Sequence, residues 1–297
     1  MTTPAPARRP LPPSPCVGIC EMDETLELCR GCARTAEEIV LWRDAEPAYH
    51  KAVFAELPAR AERLGLRLRR LSWEPEEILS WAADRLTAGE GCWVIGPPGA
   101  VAEVSGSAQG LSRSAEALVA QLEGAALRLI APRGTKAFAW RPLDTAPERI
   151  VLALPTVRLG EPDPAELTPL GPDQDALLPG DEGAPRFDLG LGRAAARFSV
   201  RSRDAALLAA LEAAVGQAFP AHLAKTRDAL FAAQPVRVIE TPLARAEIAT
   251  PIPLGDERTQ PGPHTHLLPA ILSEGLATPA GLAMPPAFTA AALWIPA

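Results

Sequence analysis

Between residues 35 and 70 apolar residues recur every three to four positions, the period of a helix with one buried face. Thr35-Ala-Glu-Glu38 fits a capping box, with Thr35 as N-cap and Glu38 at the third helical position, and Ile39 and Trp42 follow on one face. Pro47 ends that helix near Glu46 and opens a second, striped by Tyr49, Val53, Phe54 and Leu57; Pro58 then restarts a third. After Leu71 the pattern changes. Residues 75–88 read as one amphipathic helix carrying Ile78, Leu79, Ala82 and Leu86, closed by Gly89 and Gly91. From Gly91 to Pro155, β-like runs separated by Gly and Pro predict an antiparallel meander: Cys92–Ile95, Ala100–Val104, Ala126–Ile130, Ala137–Trp140 and Ile150–Leu154. Residues 156–186, rich in Pro, Gly and Asp, read as a long surface loop or internal linker. Beyond them the pattern predicts a strand over Ala194–Arg201 and a helix from Asp204 to about Val215. Further strands are expected at Val236–Glu240 and Ala246–Ile252, then a helix after Thr265 and a closing strand at Ala291–Ile295.

The expected fold class is α+β. A disordered leader (1–13) precedes a small metal knuckle with short helices (14–71) and a larger, mainly antiparallel α+β domain (73–297). The 33 prolines agree with short elements and many turns.

Charge narrows the function classes. The net charge of −7 sits in the large domain, since residues 1–72 hold 11 basic against 10 acidic residues and the rest 18 against 26. An acidic surface repels phosphate backbones, so nucleic acid is a poor partner for it. The basic run Arg60, Arg63, Arg67, Arg69, Arg70 reads as the solvated face of a helix. The Pro-rich N-terminus has no apolar signal core, and the longest apolar stretch, Ala205 to Ala218, is too short to span a bilayer. A cytoplasmic protein with reduced thiols is the expectation, which leaves metal binding as the use for clustered cysteines.

Cys16, Cys20, Cys29 and Cys32 form that cluster, spaced C-x3-C-x8-C-x2-C. Two chelating pairs joined by a short loop suit a four-thiolate site, and so small and polar a segment could not bury four cysteines as mere apolar residues. A helix opening at Thr35 would place its positive end beside Cys29 and Cys32, while Gly18 and Gly31 permit tight turns within each pair. The metal stays open. The spacing fits neither the ferredoxin patterns nor the usual zinc pairs, so an iron–sulfur cluster and zinc are both carried forward. Cys92, alone in an apolar strand, reads as a buried residue of no chemical role.

The stretch from Ser14 to Arg60, with the four cysteines, Trp42 and Leu57-Pro58-Ala59-Arg60, resembles a short bacterial domain family of unknown function labelled a predicted iron–sulfur protein. The resemblance implies a cysteine-ligated centre; the family's usual Gly after the fourth cysteine is Ala33 here. Arg186–Gly192 and Gly262–Pro269 resemble uncharacterised alphaproteobacterial proteins, which transfers no activity.

His264 and His266 form an H-x-H whose rings would share one face of a strand and could hold a metal, with Asp256, Glu257 or Glu274 as possible oxygen ligands. The glycines at 96–99 and 190–192 lack the remainder of any nucleotide-binding motif, and His50 and His222 have no evident nucleophile partner. The reading that follows is a cysteine-ligated metal module, non-enzymatic or redox-accessory, fused to an α+β domain that binds a protein or small-molecule partner. The alternative is an enzyme with its site near His264 and His266 and a purely structural zinc knuckle. Oligomeric state is not readable from the sequence.

Overall fold

The structure, a computed structural model, describes residues 13–96, 100–143, 146–156, 166–180, 182–191, 196–252, 262–267 and 281–297. The leader lies outside them except for Pro13. In chain order the N-terminal part holds β1 (Met22–Asp23), β2 (Leu28–Cys29), α1 (Ala36–Leu41), α2 (Pro47–Arg63), β3 (Leu68–Arg70) and α3 (Pro75–Ala88). Next come β4 (Cys92–Ile95), β5 (Ala100–Ser105), β6 (Gly110–Arg113), β7 (Ala117–Leu122), β8 (Ala125–Ile130), β9 (Lys136–Trp140) and β10 (Arg149–Pro155). The remainder comprises β11 (Thr168–Pro172), β12 (Pro185–Asp188), β13 (Arg197–Arg201), α4 (Ala205–Glu212), α5 (Ala221–Ala233), β14 (Val236–Thr241), β15 (Ala244–Ile248), β16 (His264–Leu267) and β17 (Phe288–Ile295).

The class is α+β, and every strand pair described is antiparallel. Apart from the β1–β2 ribbon, the strands form a seven-stranded sheet, β16-β5-β4-β17-β10-β9-β3, and an eight-stranded one, β11-β12-β13-β14-β15-β8-β7-β6. Strict alternation explains how the sheets pack. In β5 Ala100, Ala102 and Val104 are buried and the residues between them are not, while in β7 the buried set is Leu118, Ala120 and Leu122. Those inward faces share one apolar core, closed by Ile78, Leu79, Ala82 and Leu86 of α3 and by Leu207 and Leu211 of α4.

Several expectations are corrected. The run 91–155 divides between the two sheets instead of forming one meander, because β6, β7 and β8 leave the sheet that holds β4, β5, β9 and β10. Residues 156–186 are not all loop: β11 lies within them, and β12 begins there. The first helix stops at Leu41, and the second runs straight through Pro58, so no third helix starts there. Ile39, expected on the inner face beside Trp42, is exposed, while Glu38 is buried. Thr265 lies in strand β16, and the helix expected after it falls on residues outside those described. The basic run is split, with Arg60 and Arg63 on α2 and Arg69 and Arg70 on β3.

β3 joins the N-terminal segment to the seven-stranded sheet. It pairs with β9, Leu68 opposite Trp140 and Arg70 opposite Phe138, and so forms the sheet's edge. The outer face there carries a second apolar cluster, Phe138, Trp140, Val151, Ala153 and Leu293, and Val17 of the cysteine segment packs into it.

Candidate metal centres

The cysteine segment is organised by its ribbon and by α1. Asp23 Oδ1 accepts from the backbone N–H groups of Thr25 (3.1 Å) and Leu26 (2.9 Å), which turns β1 back onto β2. The capping box is present: Thr35 Oγ1 accepts from Glu38 N–H, and Glu38 accepts from Thr35 N–H. Glu38 also accepts from Arg60 Nη1 at 2.7 Å, so the Leu57–Arg60 end of α2 locks the start of the helix after Cys32. Trp42, Val53, Leu57 and Ala61 make a small core around Ala33.

Cys29 and Cys32 are buried, Cys16 is half-buried and Cys20 exposed. Gly18 N–H points at Cys16 Sγ (3.4 Å), and Cys29 Sγ lies 3.4 Å from the Ile19 carbonyl. Among the described residues no three cysteine sulfurs lie within 4.8 Å of one another. Cys29 and Cys32 form the buried pair of the segment, and Cys20 its exposed member.

The positive partners differ from those expected. α1 has only six residues, too short for a strong macrodipole. Instead, the guanidinium of Arg34, only 4% exposed, sets its Nε 3.4 Å from Cys32 Sγ and stacks 4.5 Å from the Trp42 ring. It makes no carboxylate ion pair among the described residues. Burial pushes the Cys32 thiol up, against the pull of Arg34. Arg70 donates to the Cys16 carbonyl at 3.1 Å. Neither arginine carried any sequence signal beyond proximity.

A second group of donors converges at the opposite edge of the seven-stranded sheet. In β16 the alternate residues His264 and His266 share a face, and the register sets His264 opposite Glu103 of β5. His264 Nδ1–H donates to the Gly262 carbonyl at 2.8 Å, which turns the lone pair of Nε2 inward. Nε2 of His266 stands 2.6 Å from Nε2 of His264, and each lies 3.5 Å from a different Glu103 oxygen. One ligand atom from each residue fits within a 4.8 Å span. Burial lowers the pKa of His266, with Glu103 pulling up and His264 down. Asp256, Glu257 and Glu274, the expected oxygen ligands, lie outside the described residues. Glu103 was missed because strand register, which brings it here, is not written in local sequence.

The other candidates have ordinary explanations. His50 and His222 each donate from Nε2 to a carbonyl, of Trp42 (2.8 Å) and Leu189 (2.9 Å). The Cys92 thiol is pushed up to about 12 by burial and by Glu103, so it is unreactive. On the outer face of the eight-stranded sheet, Arg186, Arg201 and Arg245 are matched by Asp173, Glu240 and Glu247. Glu247 also accepts from the N–H groups of Leu177 (2.9 Å) and Leu178 (3.0 Å), so this balanced network clamps the segment after β11 onto the sheet.

No helix among the described residues is long and apolar enough to cross a membrane. No curated protein and no solved structure matches the chain. Residues 14–61, which hold all four clustered cysteines, are similar to a protein of unknown function (DUF1289). Residues 77–297, which contain Glu103, His264 and His266 and nearly all of both large sheets, match the family of unknown function DUF6925, and the chain belongs to that family.

Proposed function

We propose that this is a metal-binding protein, in which Cys16, Cys20, Cys29 and Cys32 hold a metal or cluster on a segment fused to an α+β sandwich that binds a protein or small-molecule partner. The buried guanidinium of Arg34 supports this best. A cation 4% exposed, with a sulfur and an indole face as neighbours and no carboxylate ion pair among the described residues, calls for the counter-charge that burial requires. Thiolates bound to metal would supply it. A four-thiolate zinc site and an oxidised two-iron cluster both carry a net charge of about −2, so the same arginine serves either.

Metal analysis and visible absorption of anaerobically purified protein separate the two. Brown protein bleached by dithionite identifies the cluster, and colourless protein with zinc held by the cysteines identifies the structural knuckle. Cys16→Ala or Cys32→Ala should remove that metal and unfold residues 14–60, whose core is too small to fold alone. Cys92→Ala should leave it unchanged. Undiminished cysteine-bound metal in either of the first two variants, read as cluster absorption or as sulfur-to-metal charge transfer after cobalt substitution, would sink the four-cysteine assignment. The second reading, an enzyme acting around His264 and His266 above a structural zinc knuckle, is favoured by the approach of Glu103 to both rings and requires the colourless outcome.

A further inference from the structure

We propose that Glu103, His264 and His266 bind a divalent transition-metal ion, at a site separate from the cysteines and independent of whether those bind metal. Three observations carry this. First, the donor set is two imidazoles and one carboxylate, with ligand atoms within 4.8 Å of one another, a span one ion can bridge. Second, the rings are already turned for it: the Gly262 carbonyl takes the Nδ1 proton of His264, which leaves Nε2 as the ligand atom, the usual arrangement behind a metal-bound histidine. Third, the strand that carries them is held from behind. Thr250 donates to the Pro263 carbonyl at 2.7 Å, and the buried Arg237 reaches both Thr265 and Thr250.

The chemical class follows from the donors. Two nitrogen ligands disfavour calcium and magnesium, which take oxygen, and suit zinc, iron(II), cobalt or nickel. The side chains of His266 and Glu103 are 24% and 34% exposed, so the remaining coordination positions face solvent. A closed structural site would bury them. This one leaves room for water or a small anionic ligand.

The bland alternative is a proton shared between two neutral rings, with Glu103 as a passive neighbour. Cobalt(II) distinguishes it. The full chain is dialysed briefly against a chelator weak enough to leave thiolate-bound metal in place, and cobalt is then titrated in under visible absorption. Thiolate ligation gives intense sulfur-to-metal charge transfer, whereas a nitrogen–oxygen site gives only weak d–d bands. The expected result is one equivalent of cobalt with d–d bands alone, weakened roughly 100-fold or more in His264→Ala and His266→Ala, since even outer-shell losses cost 10–100-fold. Glu103→Gln, nearly isosteric and at a partly exposed position, should lose at least about tenfold while keeping its circular dichroism. Absence of the d–d component from the wild type overturns the proposal, as does undiminished binding in a folded Glu103→Gln or His266→Ala protein.

Discussion

Two glycines of the cysteine segment show how differently the same residue can be required. A Cβ on Gly31 would lie 2.2 Å from the Ile19 carbonyl oxygen, so Gly31 is needed for the close approach of two backbone segments. Gly18 has φ +84° and open space around it, so only its left-handed backbone calls for glycine. Gly18→Ala should therefore cost about 1–2 kcal/mol, and Gly31→Ala more, because the knuckle itself must open. Thermal melting of the two variants would check the order, and equal costs would contradict the close approach. Ala33 takes the left-handed backbone (φ 58°) where the resembling family has glycine, yet its methyl is buried beside Trp42 and Leu57. Strain of about 1 kcal/mol and burial of about 0.8 kcal/mol nearly cancel, so Ala33→Gly should be close to neutral. At this scale the cysteines were readable because their spacing is local. Arg34 and Glu103 were not, since burial and strand register assign their roles.

Among the elements, α2 departs most from its sequence reading. A proline in a helix interior removes one hydrogen bond, here to the Phe54 carbonyl, and the helix was expected to break. It continues because Val53, Leu57 and Ala61 stay on one buried face across the interruption, so packing outweighs local preference. Pro58→Ala should stabilise the N-terminal segment by about 1–3 kcal/mol, read as a higher melting temperature. No gain would mean that a bend at Pro58 is needed to seat the helix. Elements with strong periodicity were readable close to their bounds, α3 and β4 above all. α5 was overlooked, and β11 lay inside a Pro- and Gly-rich stretch where only pairing with β12 makes a strand. The partition of strands between two sheets depends on which surfaces bury each other, which local pattern does not encode.

The molecule as a whole depends on the charged network beneath the segment after β11. Burial pushes Asp173 and Glu247 up, but Arg201 and Arg245 beside Asp173, and Arg201 with the N–H groups of Leu178 and Leu177 beside Glu247, outweigh it, and both carboxyls end below their ordinary values. A depressed carboxylate contributes stability that is present above its unfolded pKa and lost as pH falls through the folded one. Melting temperature should thus hold from neutral pH down to about 4 and fall below it. Glu247→Gln takes one carboxylate from Arg201 and Arg245, which keep Asp173 and Glu240, and should cost about 2–3 kcal/mol at neutral pH, with a flatter acid limb. An unchanged acid limb would move the origin of acid sensitivity elsewhere.

β3 belongs to neither family match, which end at residue 61 and begin at 77, yet it completes the edge of the seven-stranded sheet. A chain beginning at Ser72 loses that strand and leaves the outer backbone groups of β9 without partners, beside the apolar surface of Phe138 and Trp140. Such an edge recruits whatever extended chain is nearest, and at working concentration that is a second copy of itself. Light scattering should show the Ser72 chain forming larger assemblies than one beginning at Arg67, which keeps the strand; identical behaviour would make β3 dispensable. The segment between the two parts is therefore no tether. It is a shared seam, and any protein that borrowed the sandwich without β3 would have to bring its own strand to seal it.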